Sequence, residues 1–238
     1  CVPPREEHSK ETKYEGAYVK EPILGGHDWI VSFDINSLYP HIIIQYNISP
    51  EKIIGESSHG VNVNKMIDMK VPLNYLKTEG ACLTPNGAKF KNDSQGFLPE
   101  MMEKMYNERV VFKQRMLKAK AEYQKTKDPK LVKEIARCHN IQWSKKIALN
   151  SAYGAVGNQY FRYYDVRQAS GITTAGQFII RFIESKVNEY LNRILQTHDK
   201  IDYIVASDTD SIYVTLDKLV EKTCEGKTND QICNFIDK

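Results

Sequence analysis

The sequence predicts an α+β protein, in which antiparallel strands paired as hairpins are backed by long helices. Three observations carry that expectation. Ile204 to Val214 reads Ile-Val-Ala-Ser-Asp-Thr-Asp-Ser-Ile-Tyr-Val. Two β-branched and aromatic runs flank a short polar centre, which is a β-hairpin with its turn near Ser207 to Asp210. Leu98 to Lys127 and Lys130 to Ala152 keep roughly helical spacing and are joined by about three residues, so these helices lie antiparallel. Asp165 to Thr197 places apolar residues at 172, 179/180, 183, 187, 191 and 194. That is one amphipathic helix able to cover a sheet face.

Composition narrows the class. The chain has 238 residues, 41% hydrophobic and 26% charged, which fits one or two globular domains with a real core. No apolar run approaches the roughly 20 residues needed to span a bilayer, so a cytoplasmic protein without a membrane partner is expected. The chain opens on Cys1 with no signal peptide, and reads as a piece of a longer polypeptide. Five cysteines at 1, 82, 138, 224 and 233 never form Cys-x-x-Cys; they read as reduced thiols, not staples or zinc ligands. Net charge is only +3, but 13 of the 33 Lys and Arg and 6 of the 30 Asp and Glu fall between Glu100 and Lys146. Such a segment is either a solvated helical face or the site of an anionic partner.

Residues 1 to 21 look like an entering linker, with a strand starting at Gly16 to Val19. Pro22 to Asp28 makes a turn, helped by Gly25-Gly26. Trp29 to Phe33 is a strand ending on Asp34, followed by the turn Ser37-Leu38-Tyr39-Pro40 and the helical run His41 to Tyr46. Two readings of Asp34 are open: a helix cap, or a carboxylate beside a helix-opening turn that holds metal and phosphate together. Asn47 to Phe97 shows a hairpin signal at Pro85-Asn86-Gly87 and no chemistry. Pro99 fits the first turn of the first long helix, while Asp128 and Pro129 suit the cap and first turn of the second. Arg109 and Lys113 are spaced i,i+4, as are Lys146 and Asn150, so each pair shares a face. The three cations suit a triphosphate. Gly154 reads as the stop of the second helix, Gln159 to Tyr164 as a short strand, and Leu216 to Lys238 as a helix.

Asp208 and Asp210 are two apart and lean the same way on an extended chain. Such a pair needs a cation or a proton between its members, and hard oxygen ligands suit magnesium. A polar turn in water is the plainer alternative. A calcium loop is excluded, because Tyr213 and Leu219 stand where it needs glycine and glutamate.

Three blocks therefore stand in order: Asp34-Ile-Asn-Ser-Leu-Tyr-Pro40, Lys146-x3-Asn150-Ser-x-Tyr153-Gly154, and Asp208-Thr-Asp210-Ser211. Together they resemble motifs A, B and C of the family B DNA polymerases. Gly16 to Pro22, Asn47 to Glu51, Pro85 to Gly87, Phe161 to Asp165 and Lys186 to Leu191 resemble the replicative enzymes of T-even-like bacteriophages. The likeness implies an antiparallel palm sheet backed by helices with an inserted helical hairpin, the fingers. Its domains would be 1–97 (palm, first part), 98–154 (fingers) and 155–238 (palm, second part, truncated). It implies a DNA-directed DNA polymerase core, a nucleotidyltransferase working in phage genome replication in the host cytoplasm. Two magnesium ions would sit on Asp34, Asp210, Asp208 and the Ile35 carbonyl. Ser37, Leu38, Tyr39, Arg109, Lys113, Lys146 and Asn150 would bind the dNTP, with Tyr39 excluding a ribose 2′-hydroxyl. Tyr14, Gly16, Tyr153 and Gly154 would contact the DNA primer-template and the nascent base pair. An exonuclease and a thumb are implied elsewhere, in the same or a separate chain. A sliding clamp would be reached through the region after Lys238, and the isolated piece is expected to be inactive.

The sequence departs from the pattern in three places. Ala206-Ser207 replaces the usual Tyr-Gly, and a serine there is expected to strain backbone that glycine would relax. His41 replaces a serine, and the tip around Asp128 is short. A non-catalytic nucleic-acid-binding remnant of a polymerase palm is the alternative; Asp34, Asp210, Arg109, Lys113, Lys146 and Asn150, all present, argue against decay. A reverse transcriptase would not share the Lys-x3-Asn-Ser-x-Tyr-Gly helix.

Overall fold

The computed structural model of the protein describes residues 14–197 and 200–237; of the predicted entering linker, residues 1–13 lie outside that range. In chain order the elements are β1 (Val19–Lys20), β2 (Ile30–Asp34), α1 (Leu38–Gln45), β3 (Ile53–Glu56), α2 (Val63–Ile67), α3 (Asn74–Glu79), β4 (Ala81–Leu83), β5 (Ala88–Lys91), α4 (Phe97–Thr126), α5 (Pro129–Val156), α6 (Val166–Leu195), β6 (Ile204–Asp208), β7 (Ser211–Thr215), α7 (Asp217–Thr223) and α8 (Asn229–Ile236). The fold is α+β with antiparallel sheets and a long helical hairpin. It divides into two compact units: residues 37–175 with the described part of the N-terminal segment, and residues 17–36 with 176–238.

The second unit is built on a four-stranded antiparallel sheet in the order β1-β6-β7-β2. Alternation sends Ile212 and Val214 to one face, and a register shift between Ile204 and Ala206 brings Ile204, the partner of Val214, to the same face. There they form a core with Ile180, Leu191, Leu195 and Tyr203. The apolar stripe of α6 thus covers the sheet as its spacing predicts, and each buried aliphatic side chain stabilises by roughly 1.5–3 kcal/mol. The predicted C-terminal helix is two helices. Gly226 takes a left-handed φ of 75°, and Thr228 restarts the helix through a capping box with Gln231, which satisfies two orphan amides reciprocally.

The first unit combines a three-stranded sheet, order β3-β5-β4, with α1 and the α4–α5 hairpin. Ile42, Ile43, Phe90, Met102 and Leu149 are buried here. Asn47, itself buried, donates to the Lys91 and Ser94 carbonyls and accepts from the Gly96 amide at 2.8 Å. This pins the end of α1 to the start of α4. Asp128 caps α5 by accepting from the Lys130 amide at 2.9 Å, with Pro129 in its first turn.

Two local expectations fail. Gly154 does not stop α5, which runs to Val156 and is capped by Gly157. At Gly157 the Tyr14 hydroxyl occupies the space a Cβ would take, so a side chain there would have to displace Tyr14. Gln159 to Tyr164 is not a strand. Its amides are spent on local turns, Phe161 to the Asn158 carbonyl and Tyr164 to the Phe161 carbonyl, and Tyr163 packs against Phe97 with ring centroids 5.4 Å apart.

Candidate active site

In the second unit the central strand β7 begins at Ser211, which pairs with Asp34 of β2 on one side and Asp208 of β6 on the other. Asp210 lies in the turn between them, so three carboxylates occupy one end of one sheet. Backbone hydrogen bonds fix the turn. The Ile35 amide donates to the Asp210 carbonyl at 2.7 Å, the Asp210 amide to the Asp208 carbonyl at 2.6 Å, and the Thr209 amide to the Tyr18 carbonyl at 3.0 Å. Thr209 takes the left-handed conformation, φ 55°, and its hydroxyl donates to Asp208 at 2.8 Å. Asp34 is the last residue of β2, and the cap position of α1 belongs to Ser37, so the helix-cap reading of Asp34 falls.

Asp34 and Asp208 are exposed, and Asp210 is half-buried. Burial, then the Asp34 charge, then that of Asp208 push the Asp210 carboxyl above the ordinary carboxylate range. The trio is therefore a place where a cation relieves repulsion. Among the described residues no three His, Cys, Asp or Glu side chains cage an ion by themselves. In magnesium-free buffer, Asp210→Asn should raise the thermal midpoint of the chain, because it removes one of the three repelling charges. A midpoint lowered by that change would show that the carboxylates do not repel in the folded state.

Residue 207 sits one position before Asp208 and so faces the opposite side of the sheet. Ser207 is buried, and its hydroxyl donates to Glu184 of α6, also buried, at 2.5 Å. The expected strain is absent, since the left-handed residue is Thr209 and not Ser207. The serine is instead the donor that satisfies a buried carboxylate, a short charge-assisted bond. Glu184 was missed in the sequence, although a glutamate among the apolar positions 180, 183, 187 and 191 was a signal. Ser207→Ala should cost about 1–3 kcal/mol in denaturant unfolding, the usual penalty for a buried polar group left unpaired. The same change in a Glu184→Gln background should cost measurably less; equal losses in both backgrounds would mean the two side chains are not coupled.

The first unit holds the residues predicted to grip phosphate. Ser37 caps α1 in a left-handed conformation, φ 57°. His41 bonds its carbonyl twice, through the amide at 3.2 Å and Nδ1 at 2.9 Å; His41 also packs edge-on against Tyr106 of α4, centroids 4.6 Å apart. Arg109 of α4 donates from Nη1 to the Ser37 hydroxyl at 3.3 Å, while its Nε is buried without a hydrogen-bond partner. Lys113, Lys146 and Asn150 are exposed. Lys146 lies over the Trp143 ring, 5.1 Å from its centroid. The neighbouring Lys145 is taken by Glu108. Leu38 is buried in α1.

Tyr39 and Tyr153 stack at a tilt, centroids 4.7 Å apart, and the Tyr153 hydroxyl lies 3.4 Å from that of Tyr14. Burial first, then the Tyr14 hydroxyl, push the Tyr153 phenol above its ordinary range, so it stays neutral. Gly16 and Gly154 are exposed, with open space where a Cβ would stand.

The model of DNA polymerase family B matches residues 1–231. The chain belongs to that family. It is 34% identical over 268 residues to the DNA-directed DNA polymerase of Escherichia phage RB69, covering 94% of this chain and 29% of that protein. It is 35% identical over 263 residues to the DNA-directed DNA polymerase of Enterobacteria phage T4, covering 93% and 28%. DNA polymerase 1 of Pyrococcus abyssi is 30% identical over 203 residues, covering 85% and 21%. The chain spans less than a third of the length of these curated relatives. No described helix is long and apolar enough to cross a membrane.

Proposed function

We propose that the chain is the nucleotidyl-transfer core of a DNA-directed DNA polymerase, adding a dNTP to a primer 3′-hydroxyl on a DNA template during phage genome replication. The observation that carries this reading is the carboxylate end of the β2–β7–β6 sheet, where Asp34, Asp208 and Asp210 surround the start of one strand. Membership of DNA polymerase family B supports it. In this reading residues 1–97 and 155–238 are palm and 98–154 are fingers. Primer grip, proofreading and clamp contacts are left to other parts of the polymerase.

The donor set suits magnesium, for the hard oxygens of Asp34, Asp208, Asp210 and the Ile35 carbonyl are what that ion takes. Two such ions, when bound, would activate the primer hydroxyl and neutralise the leaving oxygens. The chain's own residues do the rest. Ser37 opens α1 three residues after Asp34 in the chain, and three residues span at most roughly 10 Å. Backbone amides at the start of α1 receive phosphate oxygens. Arg109, Lys113 and Lys146 balance the triphosphate and the departing pyrophosphate, and the buried Arg109 Nε is a donor suited to one of those oxygens. Asn150 shares the Lys146 face. Tyr39, packed on Tyr153, presents a fixed ring beneath the sugar, and Tyr153 with Gly154 floors the nascent base pair. Tyr14 and Gly16 steer the template.

In a polymerase carrying this segment, Asp34→Asn or Asp210→Asn should lower single-turnover incorporation by several orders of magnitude, because the charge being neutralised forms in the transition state. Asp208→Asn should cost less. Incorporation by Asp210→Asn within about tenfold of the parent would contradict the assignment. Tyr39→Ala should raise ribonucleotide relative to deoxyribonucleotide incorporation, since a gate that works by clash is relaxed by removing the ring. An unchanged ratio would leave Tyr39 a packing residue.

A further inference from the structure

The basic charge of the α4–α5 hairpin is not all on the face that carries Lys113 and Lys146. Arg115, Lys118 and Lys125 follow i, i+3, i+10 along α4, and Lys130, Lys133 and Arg137 follow i, i+3, i+7 along α5. All six are exposed. At 100° per residue, Lys118 lies about 140° round α4 from Lys113, and Lys130 about 160° round α5 from Lys146. The two sets therefore form a separate face. Glu134 of α5 is influenced by Arg115 of α4 as well as by Arg137, so Arg115 and Arg137 share one side of the hairpin. Glu134 itself is clasped by Arg137 at 3.0 Å, and Glu122 is the other carboxylate on this side. Along α4, Lys125 is about 18 Å beyond Lys113, too far to share one triphosphate.

We propose that this outward face is a second anion-binding surface, holding the phosphate backbone of duplex DNA. Its aromatic neighbour, Phe112, is half-buried beneath Arg115, whose guanidinium lies 5.7 Å from the ring centroid, and Val111 is an exposed apolar side chain beside Arg115 and Lys118. Exposed bases of a single strand are held by stacking on aromatic side chains, and protein partners by buried aromatic and apolar anchors. A surface of spaced cations with one covered ring and a single exposed valine suits a regular polyphosphate backbone, read through charge. The choice of DNA among polyanions rests on the polymerase reading.

The test uses the chain with Lys118, Lys130 and Lys133 all changed to Gln, which keeps helix propensity. Binding of a fluorescent duplex oligonucleotide is followed by anisotropy between low and moderate potassium chloride. Each duplex phosphate neutralised contributes about 0.9 to the slope of log K against log salt, so the triple variant should lose about 2.7 from the parent slope. Magnesium-dependent binding of a fluorescent deoxynucleoside triphosphate should be unchanged. A duplex slope that stays the same overturns the proposal. So does a loss confined to a single-stranded oligonucleotide, or polyglutamate bound by the parent as tightly as the duplex. A parent that fails to bind the nucleotide while the duplex slope still falls would defeat the triphosphate-gripping role and leave this surface standing.

Discussion

The mutual repulsion of Asp34, Asp208 and Asp210 is the constraint on which the second unit depends. Three like charges at one sheet end are held there by strand pairing and backbone hydrogen bonds, not by attraction between them. β7 lies between the strands that carry Asp34 and Asp208, and the Ile35 amide ties Asp210 to the chain leaving β2. The half-buried position of Asp210 sharpens the conflict, as its raised carboxyl shows. In the proposed reading, a cation bound there would relieve this repulsion.

The buried side of the same hairpin is anchored differently. Ser207 binds Glu184 on α6 while its neighbour Asp208 faces away, so the helix that forms the core is joined by a short polar bond to the strand that presents the carboxylate. In the first unit, Asn47 plays a comparable part by tying α1 to the start of α4. Arg109 then reaches Ser37 across those two elements. Apart from buried Leu38, the residues offered for chemistry are exposed or half-buried, whereas Ser207, Glu184 and Asn47 are buried.

Much of this was legible in the sequence because it rests on local periodicity. The 204–214 hairpin, the cap at Asp128 and the apolar stripe of α6 are each written in adjacent residues, and the structure forms all three. Ordered motifs likewise pointed to DNA polymerase family B, which the comparisons bear out. What was not legible depended on tertiary context. Gly154 has the composition of a helix stop, but α5 continues to Val156 and Gly157 takes the cap position. The aromatic run 159–164 has strand composition, yet its amides close on their own turns. Ser207 looked like a strained substitute for glycine, and only its partner on α6 gives it a role. The charge count between Glu100 and Lys146 was visible, but its division between two faces needed both helices in place.

Manganese binding to the chain, followed by electron paramagnetic resonance in the presence of a non-hydrolysable deoxynucleoside triphosphate, tests the central claim most directly. If the three carboxylates form the cation site, the parent binds manganese in a nucleotide-dependent manner, and the Asp34→Asn/Asp210→Asn variant loses that binding while keeping its fold by circular dichroism. Equal manganese binding by parent and variant would contradict the account.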